Sequence, residues 1–224
     1  MTLILASNSP RRRQLLALGG WKFTIISAEV DERPLEGEKP REYVIRLAET
    51  KARSVVPRAV PGGIVVAADT TVVDSDDRGE YILGKPADAI EAKAILQRLR
   101  GRKHQVYTAL AVLRVADGAL FTDWCVTEVP MRNYSDEEIS RYVASGDPMD
   151  KAGAYAIQNA SFNPVENLYG CYANVMGLPL CHLTRTLVRI GFQPQTDIPT
   201  ACQDSLHYQC PVYSQILQGN PNLK

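Results

Sequence analysis

Thr2-Leu3-Ile4-Leu5-Ala6-Ser7-Asn8-Ser9-Pro10-Arg11-Arg12-Arg13 decides how this chain folds, because an apolar run turns directly into a helix start. Residues 2–6 read as a strand. Ser9 is a good N-cap and Pro10 suits the first helical position, so the helix is expected to begin at about Ser9. Leu15, Leu16 and Leu18 give it an apolar side, and Gly19-Gly20 ends it. Residues 23–27 read as a second strand, which makes a βαβ beginning. A helix start leaves backbone N–H groups and a positive dipole end free for an anion, and Arg11, Arg12 and Arg13 place guanidinium forks beside it. Taken alone, the segment is open to two readings: an anion site, or a capped amphipathic helix with solvated arginines.

The alternation continues outward from there. Residues 40–56 read as a helix with Val44, Leu47, Ala48, Ala52 and Val55 at helical spacing. Residues 64–73 form a continuous apolar strand interrupted by one acid, Asp69. A helix over 88–100 is opened by Asp88 with Glu91 and closed by Gly101. The β-rich runs 106–115 and 120–129 are joined through Ala116-Asp117-Gly118, a hairpin signal, so this part of the sheet is antiparallel. Ser135 with Glu138 opens another helix, ended by Gly146; a short strand is expected near 172–176 and a last helix over 179–190. The fold class is α/β, with a mixed sheet flanked by helices. From Gln193 onward Gln, Pro, Asn, Ser and Thr dominate. Residues 1–192 are therefore expected to be the working domain and 193–224 a polar C-terminal tail. Tyr208, Cys210, Val212, Tyr213, Ile216 and Leu217 are expected to dock on the body or on a second subunit, as a homodimer would allow.

Composition narrows the function classes. The chain of 224 residues carries 25 basic and 25 acidic side chains, so no overall field draws it to nucleic acid. No apolar run approaches the roughly 18 residues that span a bilayer, and no signal-peptide leader is recognised, so a cytoplasmic protein without a membrane partner is expected. The five cysteines, Cys125, Cys171, Cys181, Cys202 and Cys210, show no paired spacing, and the three histidines are scattered. Any metal would rest on carboxylates and would be a hard cation such as magnesium.

Several residues contradict what folding alone would choose. Lys51 lies on the apolar stripe of its helix, where it either snorkels to water or points its ammonium into a cleft. Asp69 is enclosed by β-rich apolar sequence, and an unpaired buried carboxylate is too costly to be incidental. It is either a base or metal ligand at a strand end, or a carboxylate capping a neighbouring turn. Glu29, Asp31 and Glu32 form an acidic group after the second strand, and Gly84-Lys85-Pro86 presents a lysine on a constrained turn. Residues 149–158 mix charges, small residues and an amide; the small residues permit close backbone approach, and Gln158 could read a base edge.

Taken in order, S-x-S-P-R-R at 7–12, E-V-D-E at 29–32, R-L-A-x-x-K-A at 46–52, A-D-T at 68–70, G-K-P at 84–86, D-K-A-G-A-Y-x-I-Q at 150–158 and V-M-G-L-P at 175–179 resemble the Maf family of nucleoside triphosphate pyrophosphatases. The resemblance covers about residues 2–192 and implies a mixed, elongated sheet similar to that of inosine triphosphate pyrophosphatases. It implies hydrolysis of nucleoside triphosphates to monophosphate and pyrophosphate, a house-cleaning role and a link to septum formation and division arrest. A-D-T with the full D-K-A-G-A-Y-x-I-Q looks like the branch preferring dTTP and UTP, including modified pyrimidine nucleotides, rather than the one acting on 7-methyl-GTP. By position, the resemblance makes Asp69 the general base, Arg12, Lys51 and Lys85 the phosphate ligands, and Glu32 an acidic partner for water or metal. It makes Arg11, Thr70 and Gln158 specificity positions, places Ser7, Ser9, Asp150 and Lys151 against the substrate, and assigns Mg2+ or Mn2+ to Glu32 and Asp69. Asn159 departs from the glycine that commonly follows the glutamine, residues 161–170 are unusual, and the tail has no recognised counterpart. The rival expectation is a nucleotide-sensing regulator without turnover, which would lack a base or a leaving-group cation; neither is missing here.

Overall fold

The computed structural model describes residues 2–77 and 79–219. β1 (Leu3–Leu5) runs into α1 (Pro10–Ala17), and β2 (Phe23–Ile25) returns parallel to β1. The Ser9 side chain accepts from the Arg12 amide, which is the expected cap. α2 (Pro40–Val55) leads to the long strand β3 (Ile64–Asp76), parallel to β1 on its other side. β4 (Gly79–Leu83) folds back on β3, α3 (Ala89–Leu99) crosses to β5 (Lys103–Arg114), and β6 (Leu120–Pro130) completes the antiparallel hairpin. The sheet order is β2-β1-β3-β5-β6, with β4 on β3, which gives the mixed α/β sheet read from the sequence.

Side chains alternate across each strand, so an apolar run buried on both faces feeds two cores. Ile4, Ala6, Val65, Ala67, Ala109 and Ala111 face α2, packing on its Val44, Ala48, Ala52 and Val55. Leu3, Leu5, Ile64, Val66 and Ala68 face the other way, onto α1, α3, α4 (Asp136–Ala144) and α6 (Leu180–Arg189). β3 makes the site possible through its uneven edges. One edge is paired with β5 from Ile64 to Val73, whereas the other is paired with β1 only at Ile64 to Val66 and with β4 only from Val72 to Asp76. Between those partners lies an opening at residues 67–71. Because Asp69 follows the α2 face and Thr70 the opposite one, a molecule entering there meets side chains of both faces.

The structure departs from the expected elements in three places, the first being β4, a strand over Gly79–Leu83 where the sequence marks none. Residues 172–176 do not form a strand but sit at α5 (Tyr172–Val175), over the face of β5. A strand lying on a sheet face would have no ladder partner, so the segment closes its own turn, with the Met176 amide donating to the Tyr172 carbonyl at 3.1 Å. The segment after Gln193 contains α7 (Ile198–Leu206) and α8 (Tyr213–Leu217), and Ile198, Val212 and Ile216 are buried in the larger core. Arg185 on α6 anchors it, bonding Asp123 at 2.5 and 2.6 Å and the Ile216 carbonyl at 3.1 Å. The docking expected of Tyr208, Cys210, Val212, Tyr213 and Ile216 is onto the body, because a few apolar residues suffice when the body supplies the rest of the core. Cys171, Cys181, Cys202 and Cys210 line a small apolar pocket under these helices, and all five cysteines are free thiols.

His104 on β5 is buried, its Nε2 2.8 Å from the Tyr155 hydroxyl, and burial pushes its pKa down to about 4. With the folded value depressed, the unfolded chain takes up the proton first as pH falls. Stability present above the ordinary pKa of about 6.5 is therefore lost progressively down to about 4, by roughly 3 kcal/mol in total. Urea titrations of wild type and His104→Gln across this window should show the wild type losing more stability; parallel losses would place the histidine outside the effect.

Candidate active site

The opening beside β3 widens into a cleft of about 380 Å³. Ser7 and Ser9 border it from the β1–α1 turn, where Ser7 Oγ accepts from the Ser9 amide at 3.2 Å and from Arg12 at 3.3 Å. Arg12, on the first turn of α1, is gripped from three directions: besides Ser7, its Nε donates to the Gly177 carbonyl at 2.9 Å and a terminal nitrogen to Thr70 Oγ1 at 3.1 Å. All of these acceptors are neutral, so among the described residues no carboxylate compensates its charge at hydrogen-bond range. Burial lowers its pKa, opposed by Asp69 and Glu32.

Across the opening, α2 brings Lys51 to Asp69. Its ammonium lies 2.5 Å from Asp69 Oδ1 and 2.6 Å from Glu32 Oε1, so one lysine holds two carboxylates. Snorkelling does not describe Lys51: both it and Asp69 are buried. Glu32 comes from the loop after β2, whose backbone is held by the Tyr43 hydroxyl on the Glu32 carbonyl at 2.8 Å. The two carboxylates shift in opposite directions. Burial raises the Asp69 pKa despite Lys51 and Arg12, whereas at half-exposed Glu32 the desolvation cost is outweighed by the Lys51 hydrogen bond and the charges of Lys51, Lys85 and Arg12. Among the described residues, no group of three or more His, Cys, Asp and Glu side chains gathers as a metal site. Asp69 and Glu32 nonetheless form a hard, all-oxygen pair of the kind that holds magnesium together with substrate phosphates and water.

Lys85 reaches the cleft, exposed, from the turn after β4. The Gly84 carbonyl before it accepts from the Gly153 amide at 3.0 Å, which ties this turn to the 150–158 segment. Gly153 is required there: its φ is +70°, and a Cβ would stand 2.8 Å from Val72. Asp150 faces Arg11 at 3.6 Å. Lys151 lines the cleft but spends its ammonium on Asp150 at 2.5 Å, the Asp147 carbonyl at 2.6 Å and the Asp147 carboxylate at 3.1 Å. It clamps the turn that presents Asp150. Gln158 is exposed on the cleft wall. The following Asn159 has a structural job, donating to Asp147 at 3.2 Å and accepting from the Phe162 amide at 2.8 Å, while Phe162 stacks on Tyr142 at 4.2 Å.

All twelve residues that the resemblance assigns to the site thus line one cleft, whereas Arg13, Glu29 and Asp31 do not, and Asp31 pairs with Arg33 at 2.6 Å. Sequence reasoning missed Thr108 and Asn174, both fully buried behind Thr70. A hydroxyl amid the apolar β5 run was the available signal for the first; nothing local marked the second.

The family model described as Maf-like protein matches residues 2–190. A dTTP/UTP pyrophosphatase of Anaeromyxobacter dehalogenans is 48% identical over 192 residues, spanning 85% of this chain and 94% of that protein. The dTTP/UTP pyrophosphatase of Thermomicrobium roseum is 44% identical over 216 residues, spanning 95% and 94%. That likeness therefore runs on into the segment after Gln193. The structure of the Staphylococcus aureus Ham1 protein is a distant match, with a TM-score of 0.40 and 15% identity over 59% of this chain and 73% of that one. No helix among the described residues is long and apolar enough to cross a membrane.

Proposed function

The chain belongs to the Maf-like protein family, and from that premise we propose that it hydrolyses nucleoside triphosphates, dTTP and UTP foremost, to monophosphate and pyrophosphate. The observation that carries this reading is the charge arrangement in one cleft: a buried carboxylate with raised proton affinity beside Arg12, a guanidinium that, among the described residues, neutral groups hold. Asp69 accepts the proton of a water aimed at the α-phosphorus. The bond to the bridging oxygen breaks, and charge collecting on pyrophosphate is met by Arg12, Lys85 and the N-terminus of α1. Lys51 has three N–H donors and uses two on Asp69 and Glu32, leaving one for a phosphate oxygen. Bound magnesium or manganese, held by Glu32 and Asp69, would add neutralisation of phosphate charge. Every residue in these roles lies within 1–192, which we take as the catalytic unit.

Gln158 supplies an amide whose donor and acceptor can pair with the carbonyl and N3–H of uracil or thymine, groups that cytosine does not present together. The test is a panel of dTTP, UTP, CTP, GTP and ATP with magnesium, separating monophosphate, diphosphate, phosphate and pyrophosphate. Equal amounts of monophosphate and pyrophosphate are expected, with Gln158→Ala narrowing the gap between UTP and CTP. Diphosphate plus phosphate, from a preparation free of other pyrophosphatases, would overturn the reaction. Unchanged selectivity in the variant would overturn the role of Gln158.

A further inference from the structure

Behind the cleft a line of hydrogen bonds runs from Arg12 into the core. The guanidinium donates to Thr70 Oγ1 at 3.1 Å; Thr70 Oγ1 and Thr108 Oγ1 lie 3.0 Å apart; Thr108 Oγ1 donates to the Asn174 carbonyl at 3.1 Å. The partners dictate the direction of every proton. A carbonyl can only accept, so the Thr108 hydrogen is committed to Asn174. Thr108 is then the acceptor for the Thr70 hydroxyl, which turns a Thr70 lone pair toward Arg12. Asn174 is a rigid end point: fully buried, it anchors its side chain by donating to the Val106 carbonyl and to Thr127 Oγ1, each at 2.9 Å. Thr70 and Thr108 are also direct partners in the β3–β5 ladder, which fixes their spacing through the backbone.

We propose that Thr108 is a positioning residue for the reaction, orienting Arg12 toward phosphate through Thr70 without neutralising it. The inference rests on the pyrophosphatase reading and adds to it a residue that does not line the cleft. A guanidinium has five N–H donors. Three are used on Gly177, Ser7 and Thr70, leaving one on each terminal nitrogen, a two-pronged donor for phosphate oxygens. Had a carboxylate held the arginine, orientation would have come at the expense of its charge. Without Thr108 the Thr70 hydroxyl has no committed acceptor and is free to turn its hydrogen toward the arginine, presenting a donor to a donor.

The test compares wild type, Thr108→Val and Thr108→Ser, with folding checked by circular dichroism. Valine keeps the shape and removes the relay; serine keeps the relay. Thr108→Val should lower kcat about 10- to 100-fold with little change in KM, while Thr108→Ser stays within about threefold of wild type. In an Arg12→Lys background, whose ammonium lacks the fork, Thr108→Val should cost less than about twofold further, since the relay then has nothing to aim. Wild-type kinetics in Thr108→Val, equal loss in Thr108→Ser, or the full loss repeated on Arg12→Lys would each overturn the proposal. Thr108→Ala makes the same cut if valine does not fold. Calorimetric binding of pyrophosphate, weakened in Thr108→Val and restored in Thr108→Ser, tests the relay even if no triphosphate is turned over, so its failure is separable from that of the proposed function.

Discussion

Asp69→Asn should lower kcat/KM for the preferred nucleoside triphosphate by about 10²-fold or more, in a protein that still folds. Asparagine fills the same volume, and its amide oxygen can still accept from Lys51, 2.5 Å away in the wild type. It cannot take a proton from water. Stability should respond in the opposite sense to activity. Burial raises the Asp69 pKa, so its contribution to stability is fully present below the unfolded value and is lost as pH rises through the folded one. The variant should therefore gain stability relative to wild type between acid and neutral pH, as read by urea midpoints at several pH values. Near-normal turnover would make Asp69 a carboxylate serving only the fold.

Lys51→Met should be the most damaging single change, because it strikes site and fold together. Methionine keeps most of the packed stem, but Asp69 and Glu32 lose the ammonium that lies 2.5 and 2.6 Å from them. Leaving a buried charge uncompensated typically costs about 3 kcal/mol or more, and turnover should fall at least about 10²-fold. The stability loss should shrink as the medium is acidified, since protonating the two carboxylates removes the repulsion. Adding Asp69→Asn to Lys51→Met should restore part of the stability and none of the activity. A pH-independent loss, or a double variant no more stable than Lys51→Met alone, would mean that the lysine stabilises by packing rather than by charge.

The contrast between Lys51 and Lys151 shows where local inference stops. The resemblance makes Lys51 a phosphate ligand and places Lys151 against the substrate, and both line the cleft. Lys51 was conspicuous because a cation occupied an apolar helical stripe; that Glu32 as well as Asp69 would claim it depended on a loop folding back over α2. Lys151 carried no such anomaly, and only the folded turn shows its ammonium bound to Asp147 and Asp150. The helix over Tyr172–Val175 differs from the expected strand for a related reason, because a few apolar residues have no periodicity of their own and take whichever form satisfies their backbone.

The sequence by itself determined the strand-to-helix start at Ser9, the capped helices, the β5–β6 hairpin and the misfit of Asp69 in an apolar run. These signals are written within a few residues of one another, in caps, turn residues and periods of two or 3.6. The tertiary structure alone decided the opening between β1 and β4 on the edge of β3, the helical form of the segment after Gln193 and the place where it docks, and the neutral grip on Arg12. That grip includes a carbonyl 165 residues away along the chain. Such contacts are set by how the sheet closes and where a loop lands, and no local pattern of residue types encodes them.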